Sequence, residues 1–293
     1  MRNTTAIFPL LLRTAALAAL VASTLGAGLS PASADPATSS ASAISASAWA
    51  LAAKSRVRLL SAGPMENGVY RVGVEIRLEG QALTYWRTPG EAGVPPVFDF
   101  SKSTNLAAAT VRYPAPSRLE EAGAEAYGYL KEVVFPVEVK PADPTKPVSL
   151  DLFLHYASCE KICIPAEGRM QLQLAPDAQP GSHVQRIAQF EAQVPRPIGP
   201  ADAPALTLEP VAGAPKKTWS VRIAPMPKAD ADLFAEGPEG SYFETKRSGD
   251  GFSLVMVQKP SVWTQPLRVF LTYRNGKAAI ERSIDLDAGP AKP

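Results

Sequence analysis

The sequence is poor in the residues that most enzymes use for chemistry. Its 293 residues include only two cysteines, Cys159 and Cys163, and two histidines, His155 and His183. Two histidines are too few for a His-rich metal site, and the sequence contains no G-x-S-x-G, H-E-x-x-H or phosphate-binding glycine motif. Its formal net charge of +2 is too small to indicate a nucleic-acid partner. We therefore expect no cofactor, no resident metal and no nucleic acid.

The N-terminal residues have the pattern of a secretory signal peptide. Arg2 and Arg13 flank an apolar run from Ala15 to Leu29, and Ala32-Ser33-Ala34 supplies small residues in an A-x-A cleavage pattern. The alternative is an uncleaved anchor, but the run is shorter than the roughly 20 residues that a spanning helix needs. We predict a signal peptide over residues 1–34, and hence export to an oxidising compartment where disulfides persist.

The rest of the chain divides by composition into two folded parts. Residues 35–49 are almost all Ala, Ser, Thr and Pro, which predicts a flexible leader. We predict a first β domain over 50–182, a short helix and proline-rich connector over 183–204, and a second β-sandwich-like domain over 205–293. The helix prediction depends on apolar residues at helical spacing just before a cluster of prolines.

Short runs with strand character dominate both parts. Gly68–Leu78 alternates apolar and other residues with the period of two that is typical of a half-buried strand. Turn sequences separate such runs, among them Ser248-Gly-Asp-Gly251 and Arg274-Asn-Gly-Lys277 in the second part, which are suited to hairpins. The pattern predicts an all-β protein built from antiparallel sandwiches.

The two cysteines are only four positions apart. Residues four apart in an extended strand are separated by about 13 Å, too far for a disulfide, so the chain must turn between Cys159 and Cys163 if they are bonded. With Leu150–Tyr156 as the incoming strand and Arg169–Leu174 as the return strand, Glu160-Lys161-Ile162 would form that turn at the end of a hairpin, close to solvent. Closing so short a loop stabilises a protein by only about 2 kcal/mol, against about 4.7 kcal/mol for a loop of 100 residues. The spacing alone leaves a structural disulfide and a redox pair both open.

Four sequence motifs, of which the last contains the cysteines, follow one another along the first part of the chain. They are Thr84–Pro96 (TYWRTPGEAGVPP), Tyr113–Arg118 (YPAPSR), Gly128-Tyr129 and Cys159–Pro165 (CEKICIP). In this order they resemble the N-terminal periplasmic domain of the DsbD-like protein-disulfide reductases, and most of all the branch of the suppressor-of-copper-sensitivity proteins. The resemblance covers roughly Ala50 to Leu174.

The resemblance implies a periplasmic immunoglobulin-like domain whose Cys159 and Cys163 cycle between dithiol and disulfide, with Cys163 as the preferred attacking thiol. It implies a thiol-disulfide oxidoreductase that receives electrons from a membrane-embedded thiol transporter and passes them to thioredoxin-like partners. The sequence departs from the family in its spacing of three residues between the cysteines, and it has neither a membrane region nor a Cys-x-x-Cys motif. We therefore expect an external electron donor.

Two other readings of the same residues stay open at this point. Copper is a candidate ligand, because His155 and Met170 could join Cys159 and Cys163 as soft ligands for Cu(I); otherwise His155 is a surface residue and Met170 a core residue. The chain could also be a noncatalytic interaction module in which the disulfide is a structural staple. The segment Trp86–Phe100 is a candidate cover for the cysteines.

Overall fold

A computed structural model of the protein describes residues 45–91, 93–260, 262 and 266–287. The predicted signal peptide at 1–34 and most of the predicted leader lie outside the described residues. In the described ranges, no helix is both long and apolar enough to cross a membrane. The all-β prediction is confirmed, because strands form nearly all of the regular structure and α1 (Val184–Glu191) is the single helix of the described residues.

The first half of the chain forms two antiparallel sheets. Its strands are β1 (Ala50–Ala52), β2 (Ser55–Ser61), β3 (Tyr70–Leu78), β4 (Leu83–Gly90), β5 (Val97–Asp99), β6 (Leu106–Val111), β7 (Ser117–Glu121), β8 (Ala124–Leu130), β9 (Glu132–Pro141), β10 (Val148–Cys159) and β11 (Cys163–Leu174). One sheet has the order β1-β2-β3-β9-β6 and the other β11-β10-β4-β8-β7, with β5 paired to β10. Apolar side chains of both sheets form one hydrophobic core, as in a sandwich.

In strand β3 the alternating pattern predicted the wrong exposure for two residues. Its outward positions Gly73 and Glu75 are buried, although a half-buried strand should expose them. Helix α1 packs over this face: a Cβ on Gly73 would lie 3.1 Å from Ile187, and Arg186 hydrogen-bonds to Glu75. Burial would raise the pKa of Glu75, but hydrogen bonds from Arg58 and Arg77 outweigh burial and lower it. The carboxylate is therefore buried in its charged form.

The second half of the chain forms two further sheets. Its strands are β12 (Arg196–Pro197), β13 (Ala205–Pro210), β14 (Thr218–Ala224), β15 (Asp232–Glu236), β16 (Tyr242–Ser248), β17 (Gly251–Gln258), β18 (Leu267–Asn275) and β19 (Ala278–Leu286). The sheet orders are β12-β19-β18-β15 and β13-β14-β17-β16. Both predicted hairpin turns are confirmed, since Ser248 pairs with Gly251 and Asn275 with Ala278 around glycines of positive φ.

Residues of the predicted connector contribute to both halves. The helix predicted before the proline cluster is confirmed, and its Ile187 and Phe190 are buried in the first core. Arg196–Pro197 instead pairs with β19 of the second half, and Phe234 of β15 is buried in the first core. The connector therefore contacts both halves, and a residue of the second half is buried in the core of the first. The exact domain boundaries remain a prediction.

Candidate redox site

The cysteines close a long hairpin. Strands β10 and β11 pair residue by residue, from Val148 opposite Leu174 to Cys159 opposite Cys163. The pairing follows from apolar residues that alternate along both strands and share the core face, so that a slip of one residue would expose them. Residues 160–162 form the turn, as predicted, and a disulfide joins the two cysteines, whose Cα atoms are 4.0 Å apart.

The two sulfurs differ sharply in their access to solvent. Cys159 is 0% exposed and lies opposite Leu83 of the neighbouring strand β4, whereas Cys163 is exposed. The expectation that the bond lies close to solvent is thus correct for Cys163 and wrong for Cys159. The neighbour of Cys159 across the sheet causes the difference, because Cys163 begins an edge strand that has β10 on one side only.

A tyrosine and a glutamate complete the site. The hydroxyl of Tyr85 lies 3.0 Å from Sγ of Cys159 and 3.2 Å from Sγ of Cys163, and it also donates a hydrogen bond to the carboxylate of Glu121. The other carboxylate oxygen of Glu121 contacts Sγ of Cys163. Tyr85 is only 1% exposed, and burial together with the neighbouring Glu121 raises its pKa, so the hydroxyl keeps its proton.

Local backbone geometry brings these two side chains to the sulfurs. Tyr85 lies opposite Gly128 of β8, where a Cβ would come within 2.2 Å of the carbonyl oxygen of Thr84, so the strands can approach closely only because this residue is glycine. Glu121 is the last residue of β7, before a two-residue turn in which Ala122 and Gly123 both have positive φ. Such a turn fixes the register of the hairpin and hence the position of Glu121.

The arrangement has a clear chemical consequence. When the disulfide is reduced, the buried Tyr85 hydroxyl can donate its single proton either to Glu121 or to a thiolate, and a thiolate that accepts it is stabilised. The Glu121 carboxylate does the opposite at Cys163, because a negative charge in contact with the sulfur opposes a second negative charge. Tyr85 lies within one of the sequence motifs, but no role was predicted for it, and no feature of the sequence pointed to Glu121.

The other candidate residues lie apart from the sulfurs. His155 is exposed and pairs with Glu167 at 3.2 Å, while Met170 is 3% exposed and packs in the first core. In the described part of the chain, the one group of three potential metal ligands of the His, Cys, Asp and Glu types is Glu121, Cys159 and Cys163. The predicted cover segment touches the site indirectly, since Gly93 lies against the ring of Tyr85.

Comparisons with known proteins agree with this geometry. Residues 52–175 match the family model described as "Thiol:disulfide interchange protein DsbD, N-terminal", which confirms the resemblance and supports a thiol:disulfide interchange role for this part of the chain. No curated protein matches significantly.

A solved structure extends the similarity in fold to the second half. The chain is similar to the N-terminal periplasmic domain of ScsB from Proteus mirabilis, with a TM-score of 0.66 and 21% identity. The match covers 84% of this chain and 99% of that chain, so it reaches well beyond residues 52–175. At this identity the match establishes the fold, which is an immunoglobulin-like domain followed by a second β-rich part.

Proposed function

We propose that this protein is a periplasmic thiol-disulfide exchange component that carries one electron pair on Cys159 and Cys163. The observation that carries the proposal is the asymmetry of the pair: one sulfur is exposed and the other is buried beneath the first, with the Tyr85 hydroxyl in contact with both. An exposed sulfur can reach a partner, and a buried neighbour can then resolve the mixed disulfide.

The reaction proceeds in two steps. Cys163 loses its proton to water, and the thiolate attacks one sulfur of a partner disulfide; the partner's other sulfur leaves as a thiolate. Cys159 then gives up its proton and attacks Sγ of Cys163, which releases the partner as a dithiol once its two sulfurs are protonated. Two electrons and two protons pass to the partner, and this chain is left with the Cys159–Cys163 disulfide.

The partners follow from the family match rather than from the geometry. Thioredoxin-like oxidoreductases are the proposed acceptors, and a membrane-embedded thiol transporter is the proposed donor, because a single cysteine pair must be reduced again after each cycle. The periplasm is the proposed location: the ScsB domain of similar fold is described as periplasmic, and the N-terminal residues have the pattern of a signal peptide.

A redox titration tests the proposal directly. The protein is equilibrated in thiol-disulfide buffers, and the thiols are trapped and counted by mass spectrometry. We expect a potential above about −300 mV, within the range of exchange proteins, since the exposed Cys163 gives reductants access. A potential far below that value would identify a structural disulfide and support the noncatalytic interaction module instead.

Copper binding is a second candidate function, favoured by the cluster of Glu121, Cys159 and Cys163. If the reduced protein binds Cu(I), its affinity should depend on the two cysteines. His155→Ala and Met170→Leu should leave the affinity unchanged within about twofold, because His155 lies outside the ligand cluster and Met170 packs in the first core. Competition with a Cu(I) chelator measures this, and a large loss in His155→Ala would contradict the assigned ligand set.

A further inference from the structure

The pairing of strand β4 with β8 is interrupted immediately after Tyr85. Up to Tyr85 the two strands pair, but the register then shifts, and pairing resumes only at Gly90. In the intervening stretch Arg87 and Thr88 bind β15 of the second half. Arg87 donates hydrogen bonds to Glu236 at 2.5 and 2.9 Å, and Thr88 donates one to the same carboxylate at 2.6 Å. The residues that follow Tyr85 are therefore held by side chains of the second half.

Strand β7, which carries Glu121, is held by the same element. Arg118 lies three residues before Glu121 and donates hydrogen bonds to Asp232 at 2.8 Å and to the carbonyl oxygen of Leu233 at 2.9 Å. Both acceptors lie on β15. Tyr85 lies two residues before Arg87, and Glu121 lies three residues after Arg118. Both side chains that touch the sulfurs are therefore close in sequence to an arginine that is bound to β15.

An aromatic contact fixes β15 between the two anchor points. Phe234 is 0% exposed, and its ring centroid lies 5.9 Å from that of Trp86 and 5.0 Å from that of Tyr127. Trp86 follows Tyr85 in the sequence. Tyr127 precedes Gly128, which is the residue on β8 that pairs with Tyr85. A shift of β15 would therefore disturb the packing around Tyr85 on β4 and on the neighbouring strand β8.

The ion pairs are shielded from water, unlike ordinary surface pairs. The side chains of Glu236 and Asp232 are 15% and 16% exposed. Burial alone would lower the pKa of both arginines. The contacts of Arg87 with Glu236 and Glu281, and of Arg118 with Asp232, outweigh burial and raise the pKa of each arginine instead. Pairs of this kind fix geometry more firmly than exposed ones, which are screened and mobile.

We propose that the second half of the chain controls the reactivity of the redox site, with Glu236 and Asp232 as positioning residues that hold Tyr85 and Glu121 against the sulfurs through Arg87 and Arg118. This deepens the proposed function and rests on it for its biological meaning. While the contacts are intact, the Glu121 carboxylate stays beside Cys163 and opposes its thiolate. When they loosen, Glu121 can withdraw and the thiolate forms more easily.

The test uses alkylation of Cys163 in the reduced full-length protein, followed by mass spectrometry from pH 5 to pH 10. Asp232→Asn removes the carboxylate that anchors Arg118, three residues before Glu121. It should move the midpoint of the pH–rate profile to lower pH and speed alkylation at neutral pH about threefold, because the Glu121 carboxylate can then withdraw from the sulfur. Glu209→Gln is the matched control: Glu209 pairs with Arg222 at 3.5 Å on the exposed surface of the second half, so its profile should equal that of the unaltered protein.

A double substitution identifies the route. Glu121→Gln should shift the profile in the same direction, and adding Asp232→Asn to it should produce little further change, since Asp232 acts through Glu121. An unchanged profile in Asp232→Asn, or full additivity of the two shifts, would overturn the proposal. If Asp232→Asn fails to fold, Thr245→Val removes another hydrogen-bond acceptor of Arg118 and is measured instead.

The measurement separates this proposal from the proposed function. Alkylation by a small reagent needs no protein partner, so the profile reports on the coupling even if the disulfide proves too stable for exchange. Conversely, a potential in the exchange range with an unchanged Asp232→Asn profile would preserve the proposed function and reject the coupling.

Discussion

Cys159→Ser should turn the protein into a trap for its partners. The substitution leaves the exposed Cys163 free to attack and removes the buried sulfur that would resolve the product, so mixed disulfides with thioredoxin-like partners should accumulate. Non-reducing electrophoresis and mass spectrometry of the protein recovered from the periplasm would identify these adducts, and most of the variant should be in this form where oxidised partners are in excess.

Cys163→Ser is the matched control. Its remaining sulfur, on Cys159, is 0% exposed and lies under Tyr85, so a partner disulfide cannot reach it and few adducts should form. Both variants should stay folded, because losing the link across a loop of about five residues costs only about 2 kcal/mol. Equal trapping by the two variants would preserve the exchange function but reject Cys163 as the preferred nucleophile. The absence of adducts from both folded variants would favour the structural disulfide.

Phe234→Ala should cause a large loss in the stability of the protein, although Phe234 is far from the cysteines in the sequence. The ring belongs to β15 of the second half but is fully buried in the core of the first, between Trp86 and Tyr127. Removing a buried phenylalanine ring costs about 3 to 5 kcal/mol through lost burial and the cavity left behind. Urea unfolding followed by tryptophan fluorescence should therefore show a much lower midpoint.

The same variant tests whether the two halves unfold together. Phe234 belongs to the first core, whereas its neighbours Leu233 and Ala235 belong to the second. The two halves should therefore lose stability together, and Cys163 should become easier to alkylate. Phe270→Ala is the control: Phe270 lies on β18 of the second half and is 42% exposed, so its loss should change the unfolding midpoint little. If Phe234→Ala lowered the stability of the second half alone, the contact would carry no coupling.

Strands β4 and β7, which carry Tyr85 and Glu121, were not predicted from the sequence, and neither was β15. Strand β3 and the hairpin strands β10 and β11, which carry the cysteines, were predicted. A period of two arises only where one face of a strand meets water and the other meets a core. In β4 the first four residues are all buried, and β15 is buried at its three central positions, since each strand has protein on both faces. Their sequences therefore alternate weakly.

The sequence by itself determined the local features of this protein. Alternating apolar residues along β10 and β11 established the hairpin, and the spacing of Cys159 and Cys163 required a turn between them, because both properties depend on neighbours a few positions away. The family motifs identified this pair as the candidate redox centre for the same reason: the motifs are short and contiguous.

Only the tertiary structure decided how the pair can react. Tyr85 is 74 positions from Cys159 and Glu121 is 42 from Cys163, and Arg87 is 149 positions from Glu236. Such contacts depend on which strands become neighbours and on how the second half packs on the first, and neither leaves a periodic trace in the sequence. The burial of Cys159, the exposure of Cys163 and the anchoring of β4 to β15 all follow from that packing, since side chains distant in sequence meet only when the sheets assemble.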